Sequence, residues 1–153
     1  MKKLLLATAA ILALAASAAF AADHAGHDHS KHAAMGGPAH EEVIDGIKAT
    51  FTIQTMADAM KAMGMEMPRG VKETHHISLN LKDVRSGKAL TEGEVKVKVQ
   101  GPDSKEQTKG LMGMHGHFVG DFDMSKKGRY GVMCKFQLKD GKVRQAKFWY
   151  MVK

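Results

Sequence analysis

The chain has 153 residues, with 23 lysines and arginines against 16 aspartates and glutamates, and one cysteine. That length suits one domain with a sizeable core, and a single cysteine excludes an internal disulfide. The formal charge of +7 would suit nucleic acid, but the first residues mark the chain for export and argue against that partner.

Residues 1–21 read as a signal peptide. Lys2 and Lys3 form the charged start, residues 4–16 a short apolar run, and Ala19-Phe20-Ala21 a small-x-small cleavage site. The run is shorter than the ~20 residues of a membrane-spanning helix, so no stable membrane insertion is expected after cleavage. Loss of Lys2 and Lys3 takes the basic count to 21 and the charge to +5. The expected product is a soluble periplasmic protein that lacks a disulfide where one could have formed.

Residues 22–42 are rich in Ala, Gly and His with almost no large aliphatics, which predicts a disordered tail. Cleavage after Ala21 would leave Ala22-Asp23-His24 at the amino terminus. Its amine, two amides and the His24 imidazole could wrap Cu(II) or Ni(II) in a square plane. His27, His29, His32 and His40 would extend a metal-collecting tract; the plainer alternative is a solubilising tail.

Residues 43–153 read as all-β, a single antiparallel immunoglobulin-like sandwich of about seven strands. Ile47, Ala49, Phe51 and Ile53 alternate with polar residues, as do Ile77, Leu79 and Leu81, and Val95, Val97 and Val99. Tyr130, Val132, Cys134, Phe136 and Leu138 share one parity, and Ala146, Phe148, Tyr150 and Val152 another, each set on one face of a half-buried strand. Residues 105–112 and 117–122 supply two further strands. Asp140-Gly141 between two alternating runs is a hairpin signal.

An insert at residues 56–67 breaks the alternation. Met56, Met60 and Met63 have helical spacing, Met63, Met65 and Met67 extended spacing, and no Leu, Ile or Val stands among them. Thioethers suit Cu(I), so these are candidate ligands or a lid; an amphipathic stripe closing the sandwich is the equal alternative. His75 shares the parity of the Ile77 strand and should be partly buried, leaving His76 outward as an extra ligand.

The densest donor group is Met112, Met114, His115 and His117, two thioethers and two imidazoles in six residues with Gly113 and Gly116 between them. The i, i+2 spacing puts each pair on one side of an extended chain, and the glycines free the backbone to aim them. This set could serve Cu(I) or Cu(II); the alternative is a glycine-rich turn with exposed histidines and packed methionines. Cys134 invites a blue-copper reading, but its parity makes it a small buried hydrophobe. Trp149 reads as outward, available for a cation–π or partner contact. Asp121 and Asp123 read as turn or strand-end residues, and no hydrolase triad or phosphate-cradling loop is visible, so the chain reads as no enzyme.

Residues 75–153 resemble the small periplasmic domains of the YtkA-like and FixH-like group. The likeness rests on His76 opening a strand, the Gly101-Pro102-Asp103 turn, "MGMHGHFVGDF", and "KKGRYGVMCKF" followed by "DGKVRQAKFWY". It implies an immunoglobulin-like fold and, for some relatives, copper supply or oxidase assembly. A looser likeness is to CopC-type copper carriers. The combined expectation is a periplasmic copper carrier or sequestering protein that exchanges metal with another periplasmic or membrane copper protein. The alternative is a metal-free envelope interaction module or oxidase-assembly accessory protein.

Overall fold

A computed structural model describes residues 37–153. Eight strands and one helix follow in the order β1 (His40–Ile44), β2 (Ile47–Thr55), α1 (Met56–Ala62), β3 (His75–Asp83), β4 (Gly93–Gln100), β5 (Glu106–Met114), β6 (His117–Phe122), β7 (Gly128–Leu138) and β8 (Val143–Val152). All pairings are antiparallel, in the order β1-β2-β3-β6-β5-β4-β7-β8. The run β2-β3-β6-β5 has the A-B-E-D order of an immunoglobulin sheet and β4-β7-β8 the C-F-G order of the facing one. The eighth strand is β1, whose His40–Glu42 start falls inside the segment expected to be tail. The signal-peptide reading and the His24 site lie outside the described residues.

The alternation works as the sequence implies. Phe51, Ile77, Leu79, Leu81, Val95, Val97, Val99, Val132, Cys134 and Phe136 all point into one core between the sheets. Each such side chain contributes ~1.5–3 kcal/mol by leaving water. Tyr130 locks the β6–β7 corner: its hydroxyl donates to Lys126 O at 2.8 Å and accepts from Lys126 N at 3.1 Å. This is the tyrosine-corner arrangement of immunoglobulin-like domains.

Two seams complete the enclosure. Strand β5 pairs β4 along residues 106–111 but β6 only through Met112, Gly113 and Met114. Where β5 and β6 part, side chains take over the missing ladder: Gln107 bridges Asp123 N (3.0 Å) and Asp123 O (2.6 Å), and Lys109 Nζ donates to Asp121 O at 2.7 Å. At the other seam β1 lies beside β8, with His40 stacked on Phe148 at 4.6 Å and 11°. There the buried Arg144 grips Asp140 through two hydrogen bonds, of 3.1 and 2.6 Å, across the β7–β8 turn. The guanidinium holds the Asp140 carboxyl down to about 2.

Helix α1 is short, capped by Thr55, whose hydroxyl accepts from Asp58 N at 3.1 Å. Met56 and Ala59 are buried, and the helix packs on β2 and β3.

Phe51, fully buried and 4.9 Å from the Phe148 ring, should be among the most costly positions to truncate. Phe51→Ala is expected to lower the unfolding free energy by about 3–5 kcal/mol in urea titrations. The exposed Val43→Ala should change it by less than about 0.5 kcal/mol.

Candidate metal centre

The site is a hairpin tip. Met114 and His117 face each other as the last pair of β5 and β6, and His115-Gly116 forms the two-residue turn between them. Both turn residues have positive φ, 48° at His115 and 85° at Gly116, as a type I′ turn requires. Gly116 adopts this at no steric cost; His115 bears a left-handed conformation. Gly113, by contrast, is an ordinary strand residue opposite Phe118, so only one of the two glycines supplies backbone freedom.

Alternation then sorts the donors. Leu111, Phe118 and Phe122 point to the core, which sends Met112, Met114 and His117 to the outer face. Met112 sits opposite Val119 and is 66% exposed; Met114 is 44% exposed and lies across from the half-buried His117. Cross-strand partners of this kind bring side-chain roots to ~5 Å, close enough for a thioether and an imidazole to meet one ion. His115 stands in the turn itself, exposed.

The imidazole tautomers suit ligation. His117 Nδ1 lies 3.3 Å from His115 O, and a carbonyl can only accept, so Nδ1 carries the hydrogen and Nε2 the lone pair. His76 is set the same way, donating from Nδ1 to Asp121 Oδ1 at 2.7 Å. Metal-binding histidines are commonly oriented by such a carbonyl or carboxylate. His76 is on the same outer face, but Asp121 stands four residues beyond His117 on β6, ~13 Å along the strand. His76 is therefore a neighbour of the tip donors, not a fourth member of the group. Asp121, next to last in β6, is the strand-end residue expected, and it is also a ladder partner of His76 from 45 residues away.

Met63, Met65 and Met67 are exposed in the loop after α1. Their helix rests on β2 and β3, whereas the tip is carried by β5 and β6, so the two methionine groups have separate supports. No group of three or more His, Cys, Asp or Glu side chains is arranged to hold a metal among the described residues. Cys134 offers no thiolate: burial, with the Glu42 charge, pushes its thiol up to about 12. Trp149 is outward, as expected, with the Arg129 guanidinium 4.1 Å from its ring.

His75 behaves differently from its neighbour. It is 8% exposed, hydrogen-bonded through Nδ1 to Thr74 Oγ1 at 2.8 Å, and edge-on to Tyr150. It lines a cleft of about 590 Å³ with Thr55, Met124 and Tyr150. Burial lowers its pKa, opposed more weakly by Asp123.

No family model matches the chain, and no curated protein sequence matches it. Solved structures do. FetP of uropathogenic Escherichia coli, as isolated, shares 13% identity at a TM-score of 0.57, covering 75% of this chain and 93% of FetP. A copper-bound FetP variant with one glutamate changed to glutamine shares 14% at 0.59, covering 75% and 95%. A DUF4426 family protein of Pseudomonas aeruginosa shares 12% at 0.54, covering 74% and 93%. The likeness is one of fold. No helix among the described residues is long and apolar enough to cross a membrane.

Because the folded state holds His75 below its ordinary value of 6.5, the unfolded chain takes up the proton first. The His75 contribution is thus fully present above pH 6.5 and is lost as pH falls from there through the folded pKa. A proton-detected titration of the His75 ring should show a midpoint below 6.5, and His75→Gln should flatten the fall in unfolding free energy over that interval.

Proposed function

We propose that the chain is an exported, non-catalytic copper-binding protein, a carrier or sequestering protein of the periplasm, with Cu(I) held at the β5–β6 tip. The observation that carries this reading is the convergence of Met112, Met114 and His117 on one outward face, with Met114 directly across from His117. Two soft thioethers and one imidazole form a donor set suited to Cu(I), and His115 in the turn supplies a second imidazole for Cu(II). Exposure of both thioethers leaves the metal open to exchange with a second copper protein. Support also comes from the shared fold of the copper-bound FetP variant. The resemblance of residues 75–153 to YtkA-like and FixH-like domains belongs to the same reading. Met63, Met65 and Met67 would add Cu(I) capacity from the loop, and the His24 amino-terminal motif would take Cu(II) or Ni(II).

The test is competition with a chromophoric Cu(I) chelator, using the exported chain and a form lacking residues 22–36, a deletion that spares β1. Met112→Ala, Met114→Ala and His117→Ala should each weaken Cu(I) binding by about tenfold or more, equal to ~1.4 kcal/mol. His76→Ala should change it less. Wild-type affinity in the triple variant of the shortened form would remove the tip from consideration and favour the metal-free interaction module.

A further inference from the structure

The outer face of β4, β7 and β8 carries a second constellation that the metal reading does not use. Lys96 and Lys98 come from β4, Arg129, Met133 and Lys135 from β7, and Lys147, Trp149 and Met151 from β8. The register sets them side by side: Lys96 opposite Lys135, Lys98 opposite Met133, Met133 opposite Lys147, and Arg129 opposite Met151. Among the described residues these five cations share the face with the carboxylates of Glu94 and Glu106, both already engaged, Glu94 with Lys96 at 2.9 Å and Glu106 with Lys98 at 3.1 Å. Lys135 and Lys147 form no ion pair with any of the described residues.

Within this charged surround lies an apolar groove. Trp149 faces Gly131, and its indole occupies the space over that glycine, 3.2 Å from where a Cβ would stand. The ring is 61% exposed and has Arg129 stacked on it at 4.1 Å. The groove of about 320 Å³ beside it is lined by Gln100, Gly131, Met133, Lys147 and Trp149, room for one or two side chains. Trp, Met and Arg are the residue types that concentrate in protein interfaces. An indole laid against Gly131 leaves a recess rather than a projecting wedge, which suits an inserted side chain better than a bilayer.

We propose that this face docks an acidic segment of a partner protein, with an apolar side chain entering the Trp149–Gly131 groove and flanking carboxylates meeting Lys135 and Lys147. The proposal does not depend on copper at the β5–β6 tip.

Trp149 is the one tryptophan of the chain, so its fluorescence reads the groove directly. The exported chain is titrated with a short synthetic peptide of glutamate and leucine, with its lysine–leucine counterpart, and with phosphatidylglycerol vesicles. A saturable blue shift with the acidic peptide alone, weakening as salt rises, is expected. Lys135→Glu with Lys147→Glu should reduce that affinity about tenfold or more. Gly131→Ala, which crowds the indole without changing charge, should reduce it as well. Cu(I) affinity measured on the same variants should stay at the wild-type value, so that failure here and failure at the tip are separable. Absence of a saturable shift, undiminished binding by the charge-reversed variant, or a shift with vesicles alone would each overturn the proposal.

Discussion

The structure turns on the way β5 serves two partners. Its first six residues belong to the β4 ladder and its last three to β6, so one strand stitches the two sheets into a continuous order. That division makes the β5–β6 hairpin short, only three paired positions deep, and puts its donors on the shared outer face. It also opens a gap below the hairpin, which Gln107 and Lys109 fill by hydrogen-bonding the backbone that β5 has abandoned. A buried strand edge without such partners would leave polar groups stripped of water, at ~1–3 kcal/mol each.

Much of the fold could be read from alternation because most strands bury one aliphatic face. The runs around Phe51, Ile77, Val97, Val132 and Phe148 have clean parity, and each takes the face it implies. Strand β1 is hard to read because two of its three inner positions, His40 and Glu42, are polar, tolerated at the partly open seam beside β8, and only Ile44 is apolar. The inner positions of β5 are similarly masked, since Gln107 and Lys109 look outward-facing until the gap beside β6 is known. The His115-Gly116 turn lacks the usual Asn or Asp before glycine, so the spacing of donors was a better guide than turn chemistry.

The candidate site was partly legible for the same reason. An i, i+2 pair on any strand shares a face, which is why Met112 and Met114 lie together. That Met114 would face His117 depends on the turn having two residues, and that His76 would be held by Asp121 depends on β3 pairing β6 at a sequence separation of 45. No local pattern encodes either. The separate supports of the two methionine groups are likewise a matter of topology: α1 interrupts the chain between β2 and β3, far in sequence from the hairpin.

The division of the thioethers between core and surface has a chemical consequence. Met56 and Met124 are buried, whereas Met63, Met65, Met67, Met112, Met114 and Met151 are open to solvent. In an oxidising compartment the exposed set would be converted to sulfoxides first, changing soft sulfur donors into polar groups that no longer favour Cu(I). The sheltered pair would keep the fold intact through that change. On the proposed copper reading, such oxidation would remove the soft donors of the tip before it unfolded the protein, and enzymatic reduction of the sulfoxides would restore them.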